Sequence, residues 1–236
     1  MGGVIASVET AVRGLLFDKV PRNHRQDPRP FLVRRVVTAV FVVVGAGVLA
    51  WSLAIEPGSP RFYVATLLLA ATWTVGAFAS GPLYLGRVST PSRDSLRRPV
   101  AGAILLGLVL AGIFVLGALV VHQIPFLDRQ VSTVLAHASA GVTPILVFIT
   151  VVNGIAEELF FRGALYAAIP RHPVVISTLA YTVATLATGN LMLGFAAILL
   201  GLVVGLERRA SGGVLAPVLT HVTWSTTMLF LLPLIF

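Results

Sequence analysis

The chain of 236 residues contains no cysteine, which excludes disulfides, thiolate metal sites and cysteine nucleophiles. Charge is scarce as well: 11% of residues are charged, only nine are acidic, and Lys19 is the sole lysine among 17 basic residues. A soluble domain carries about 25% charged residues. Apolar residues fill the difference, at 57% of the chain with a mean hydropathy of +0.94. This is the composition of an integral membrane protein. The near-absence of lysine, with abundant Ala, Val and Gly, suggests a bacterial genome rich in G and C and therefore a bacterial plasma membrane.

Lipid offers the backbone no hydrogen-bond partner, so a span is a helix of about 20 apolar residues. Clear stretches cover residues 36–55, 62–85, 100–121, 142–169 and 214–236. Residues 174–206 are too long for one span and carry Thr188, Gly189 and Asn190 in the middle, a turn signal that divides them into two short helices. The expected fold class is all-α, a polytopic transmembrane helical bundle of about seven spans. Its organisation reads as a basic N-terminal segment (1–35), three transmembrane helices (36–121), an external connection (122–141) with a short interfacial helix, and a four-helix core (142–236). Val4, Val8, Val12 and Leu15 recur at helical spacing, which fits either an interfacial anchor or a frayed tail. The long Arg-rich stretch before the first span does not match a cleavable signal peptide.

The net charge of +8 raises the question of nucleic-acid binding, but the basic residues sit in loops. With seven spans, Arg13, Lys19, Arg22, Arg25, Arg29, Arg34, Arg35, Arg87, Arg93, Arg97, Arg98, Arg171, Arg208 and Arg209 fall on one side. Arg61 and Arg129 fall on the other. Basic residues in short loops stay cytoplasmic, so the N-terminus is expected in the cytoplasm and the C-terminus outside. Topology accounts for the charge, and no nucleic-acid partner is expected.

An ionisable residue inside a membrane helix costs about 2.5 to 3.5 kcal/mol on insertion scales and is rarely carried without a role. Glu9, Asp18, Asp27, Glu56, Asp94, Asp128 and Glu207 read as loop or helix-end residues, which leaves Glu157 and Glu158 in the middle of a span. Arg162 follows Glu158 by one helical turn, in the favourable order for an ion pair. Glu157 points about 100° away from that face. His24, His122, His137 and His172 read as solvated residues of loops or helix ends. His221 lies about two turns into the last span with Ser225 one turn further on, and both are expected to face the bundle.

The run Glu157-Glu158-Leu159-Phe160-Phe161-Arg162 resembles the E-E-x-x-x-R signature of the CAAX protease and bacteriocin-processing (CPBP, or Abi) family of intramembrane endopeptidases. Residues 193–209, with Gly201 and Gly205, resemble the family's glycine-bearing helix, and residues 214–221 resemble the helix that carries its H-x-x-x-N motif. The resemblance covers residues 142–236 and marks them as a CPBP-like catalytic core. Two departures stand out. The family's F-x-x-x-H motif falls on Tyr181 to Thr185, with Thr185 where histidine is expected, and Ser225 stands in place of Asn.

The resemblance implies hydrolysis of membrane protein or peptide substrates in the lipid bilayer. Glu157 is then the base that activates water, Arg162 holds Glu158 ionised, and His221 with Ser225 donates to the oxyanion. Thr185 can hold a water but cannot act as a base. Catalytic zinc usually takes three protein ligands and a water. Here Glu157, Glu158 and His221 would all be consumed, so no cofactor is expected to be required, with zinc as the alternative. No H-E-x-x-H, G-x-S-G or G-x-G-D motif lies on the spans. A catalytically impaired membrane scaffold, or an immunity or maturation protein, is the alternative function. A small transporter is a third reading, although no internal repeat supports it.

Overall fold

The computed structural model describes residues 2–22, 24, 26–90 and 95–236, and only the backbone of residues 2–8. Arg25, Arg93 and Asp94, and the side chains of Val4 and Val8, lie outside the described residues. Among the described residues the elements are α1 (Gly2–Leu16), α2 (Pro28–Leu53), α3 (Pro60–Ala79), a hairpin of β1 (Val88–Ser89) and β2 (Leu96–Arg97), α4 (Val100–Val121) and α5 (Pro125–Ser139). There follow α6 (Thr143–Glu158), a π-helical segment (Leu159–Leu165), α7 (Tyr166–Ala168), α8 (Pro173–Leu186), α9 (Leu191–Ser211) and α10 (Leu215–Leu231), with a final 3₁₀ turn (Leu232–Leu234).

The chain is an all-helical integral membrane protein. Six helical stretches are long and apolar enough to cross a bilayer, namely α2, α3, α4, the continuous α6–α7 stretch, α9 and the last helix. The seventh apolar helix, α8, has 14 residues, or about 21 Å at 1.5 Å per residue. The turn at Thr188 to Asn190 does separate α8 from α9: Gly189 is left-handed, and the Asn190 side chain caps α9 by accepting from the Leu193 N–H at 3.0 Å. The two-residue hairpin is an addition that no hydrophobic periodicity announces.

Helix starts are set by proline, which supplies a helical φ and needs no N–H partner in the first turn. Pro28, Pro60, Pro125 and Pro173 all occupy such positions. The early start of α2 at Pro28 puts Arg29, Arg34 and Arg35 on a helix rather than in a loop, and Arg34 is buried at 1% exposure. In a bilayer apolar surface gains little from mutual burial, so association rests on close packing of small residues. Gly45 of α2 receives the Trp73 ring of α3, and Gly76 of α3 receives Phe41 of α2. A Cβ at Gly107 of α4 would lie 2.7 Å from the Thr220 carbonyl of α10. The outward faces of α2 and α4 are apolar and exposed, as lipid contact requires.

The core is aromatic where α3 meets the π segment. Trp73 packs on Phe160 and Phe161, with ring centroids 4.7 and 4.9 Å apart, and Phe161 packs on Tyr181 at 4.9 Å. This stack fixes α8 beside the two glutamates.

Candidate active site

Glu157 and Glu158 close the regular part of α6, and the π segment follows at once. Such segments often accompany functional sites because the wider turn redirects side chains. Glu158 is wholly buried, and its Oε1 accepts from Arg162 Nη1 at 3.0 Å and lies 2.8 Å from His221 Nδ1. Arg162 is equally buried, with its guanidinium carbon 4.7 Å from the Tyr181 ring centroid, a cation–π distance. A Cβ at Gly201 would stand 3.1 Å from Arg162 Nη2. That glycine leaves room for the guanidinium.

Glu157 points away from this pair and is half-buried. Its Oε2 accepts from the Tyr181 hydroxyl at 2.7 Å; among the described residues Oε1 has no hydrogen-bond partner. Glu157 lies within electrostatic reach of His221, Glu158 and Arg162. The two carboxylates thus differ in circumstance. Glu158 is wholly buried, with one oxygen held by a cation and an imidazole and the other shut away without a partner among the described residues, whereas half-buried Glu157 keeps one oxygen for water.

The structure brings Glu157, Glu158, Arg162 and His221 together and leaves two sequence-selected residues aside. Thr185 is buried, but its hydroxyl donates to the Tyr181 carbonyl one turn back at 2.9 Å. Ser225 donates to the Val222 carbonyl at 3.4 Å. Neither hydroxyl bonds a member of the cluster. The residue that sequence reasoning passed over is Tyr181, which was in view as the first position of the motif ending at Thr185. The signal was chemical: a phenol inside an apolar helix must find a partner for its hydroxyl.

Three placements read from the sequence are corrected. Glu207 does not lie at a helix end, because α9 runs on to Ser211 and stops only at left-handed Gly212. It is wholly buried, accepts from Thr220 Oγ1 at 2.9 Å, and lies within electrostatic reach of Glu158. The spacing Gly201, Val204, Arg208, Ser211 continues the inward stripe through it. His137 is not solvated: it is buried against Phe62, with Nε2 2.9 Å from the Ile55 carbonyl. Arg208 is also buried, and its Nε donates to the Arg162 carbonyl at 2.6 Å, which ties the end of α9 to the π segment.

Among the described residues no group of three His, Asp or Glu side chains is placed to hold a metal ion. An apolar cavity of about 240 Å³ lies between α4, α5, α9 and α10, walled in part by Trp224. The Trp224 and His221 rings are 6.0 Å apart, so the cavity adjoins the cluster through one side chain.

No curated protein and no solved structure matches the chain. Residues 139–227 match the family described as type II CAAX prenyl endopeptidase Rce1-like, a match that takes in both glutamates, Arg162, Tyr181 and His221. Residues 139–227 of this membrane protein are accordingly an Rce1-like domain of the type II CAAX prenyl endopeptidase family.

Proposed function

We propose that the chain is an intramembrane endopeptidase that hydrolyses peptide bonds of membrane-associated substrates with a water activated by Glu157. The observation that carries the reading is the division between the two carboxylates. Glu158 is engaged by Arg162 and His221, while Glu157, next in sequence, keeps Oε1 open. In the proposed reaction Glu157 takes a proton from water as the oxygen attacks the scissile carbonyl carbon. The oxyanion of the tetrahedral intermediate accepts from a ring N–H of His221. Protonated Glu157 then delivers its proton to the departing amine as the C–N bond breaks.

Glu158 acts in this scheme as the group that orients His221, since a carboxylate at Nδ1 fixes the ring and its tautomer. Arg162 pairs with Glu158 and holds it in place. The Tyr181 hydroxyl supplies a hydrogen bond at Glu157 and is the nearest substitute for the imidazole that the middle motif lacks. The reading is metal-independent, because His221 Nδ1 and Glu158 Oε1 face each other rather than a common third point. Substrates are membrane proteins or peptides, and the apolar cavity beside Trp224 suits a bulky apolar group. The distribution of basic residues supports an N-terminus in the cytoplasm and a C-terminus outside, in a bacterial plasma membrane.

One observation favours the alternative of an impaired scaffold: the Thr185 hydroxyl is satisfied by backbone, so nothing at the histidine position of the motif reaches Glu157. The two readings separate in cleavage of the co-expressed membrane proteome, mapped by N-terminal peptides for wild type and Glu157→Gln. New termini present only with wild type support the protease. Identical maps support the scaffold.

A further inference from the structure

The other buried arginines lie at the end of the bundle that carries most of the basic residues, and they are met differently. Arg34 of α2 is buried at 1% exposure, and only Nη2 is used, donating to the Pro82 carbonyl at 2.9 Å. Among the described residues its Nε and Nη1 are buried without a partner. A buried donor left unmatched costs about 1 to 3 kcal/mol, and more on a charged group. Natural proteins seldom leave one without a reason.

Two more guanidiniums surround the same loops. Arg22 lies across Gly212 and donates from Nη2 to the Arg209 carbonyl at 2.7 Å and from Nη1 to the Ala210 carbonyl at 3.4 Å. Arg208 stands over the Tyr166 ring at 4.9 Å, within electrostatic reach of both Arg22 and Arg34. Residues 81–86 form the floor. Gly81, at φ +128°, admits the Arg34 guanidinium, and Tyr84 stacks on His24 with centroids 3.9 Å apart. None of these three arginines is ion-paired among the described residues, although Arg162 one layer deeper has its own glutamate. His24 reports the field of the cluster: burial, then Arg208 and Arg22, lower its pKa to about 4.

We propose that Arg22, Arg34 and Arg208 form a binding site for a phosphate group at the interfacial end of the bundle. Guanidinium forks match phosphate oxygens bidentately, and three of them offer more donors than a carboxylate can accept. The depth agrees with phosphate too. The lipid-facing apolar surface of α2 begins at Leu32 and Val33, which sets Arg34 at the boundary where headgroup phosphates lie. The group arrives either on an anionic phospholipid or as free inorganic phosphate.

The test uses the purified full-length protein in detergent at fixed ionic strength, with thermal unfolding as the readout. One arm adds inorganic phosphate, a second adds phosphatidylglycerol to the micelles with phosphatidylcholine as its control, and a third adds a soluble peptide with a free C-terminal carboxylate. Wild type and Arg35→Gln, which alters an exposed cation of the same helix, should rise in midpoint in the phosphatidylglycerol arm, the phosphate arm, or both. A response to the lipid alone identifies a headgroup, and a response to inorganic phosphate identifies the free ion. Arg34→Gln should lose the response. Arg22→Gln, at an exposed position that does not endanger folding, should weaken it roughly tenfold, the worth of one charge-assisted hydrogen bond. No shift with either phosphate source, a shift with the peptide carboxylate alone, or an unchanged response in Arg22→Gln would overturn the assignment.

Discussion

Arg162 and Arg34 are both arginines buried in membrane helices, yet their surroundings have opposite character. Both keep two buried guanidinium nitrogens without a hydrogen-bond partner among the described residues, but around Arg162 the chain supplies its own counter-charge: Glu158 lies one turn earlier on the same helix, His221 approaches from α10, and Tyr181 presents a ring face. Around Arg34 it supplies a carbonyl from Pro82 and further cations. The first region is closed electrostatically, so it can hold a fixed geometry for chemistry. The second is open, with no acid paired to Arg34 among the described residues, and under the proposal above its charge is met by phosphate.

The largest expected effect lies in the closed region. Glu157→Gln keeps size and one acceptor oxygen for the Tyr181 hydroxyl but cannot take a proton, so cleavage should fall by about 10²–10⁴-fold, the usual worth of a general base. Turnover that survives this change, measured as N-terminal peptides from membrane substrates, would remove Glu157 from the reaction. Arg162→Ala comes next. It leaves Glu158 buried beside His221 without its cation, at a cost of about 3 to 5 kcal/mol in unfolding free energy, whereas Arg34→Gln in phosphate-free detergent should cost much less because it removes an unpaired charge. Equal losses of thermal stability in these two variants would break the comparison.

Tyr181→Phe sharpens the closed region from another side. Removing the hydroxyl on Glu157 Oε2 should slow turnover by roughly 10- to 100-fold, the range for one hydrogen bond to a charged group, with the midpoint of unfolding nearly unchanged. Thr185→Val, which removes a hydroxyl satisfied by its own helix, should change turnover far less. The reverse order of these two would restore Thr185 to the site. Glu207→Gln should shift stability by less than about 1 kcal/mol, since among the described residues this buried acid has Thr220 but no paired cation to lose. A loss comparable to that of Arg162→Ala would show Glu207 to be a charged member of the cluster.

The smallest effect belongs to the open region. His24 has a folded pKa of about 4 against an ordinary 6.5, lowered by burial and then by Arg208 and Arg22. Between those values the unfolded chain binds a proton that the folded chain does not, so stability falls as pH drops through 6.5 and levels off below about 4. His24 is half-buried, so solvent screening keeps the contribution modest. Phosphate bound beside it should raise the midpoint of the imidazole NMR titration. A midpoint that ignores phosphate would argue against an anion near His24.

Much of the closed site was legible before the fold. An acid pair followed by arginine one turn later is a local pattern, and helical geometry alone puts Glu158 and Arg162 on one face. Tyr181, Glu207 and Arg34 were missed for a shared reason. Each has a meaning set by partners distant in sequence: Glu157 lies 24 residues from Tyr181, Thr220 lies 13 from Glu207, and Pro82 lies 48 from Arg34. Arg34 also sits near the start of its helix, where a basic residue ordinarily faces water.

Composition and periodicity by themselves determined that this is a helical membrane protein, where its spans lie to within several residues, and that Glu157, Glu158, Arg162 and His221 are the intramembrane groups to watch. Those properties follow from the chain's own chemistry in lipid, since apolar length and backbone hydrogen bonding leave few alternatives. Only the tertiary structure decided that Tyr181 rather than Thr185 meets Glu157, that His221 is held by Glu158, and that Arg34 is buried with no acid paired to it among the described residues. These depend on how the helices are rotated about their axes. That rotation is fixed by glycine-sized gaps at Gly45, Gly107 and Gly201, and by the Trp73–Phe160–Phe161 stack that locks α3 to the π segment.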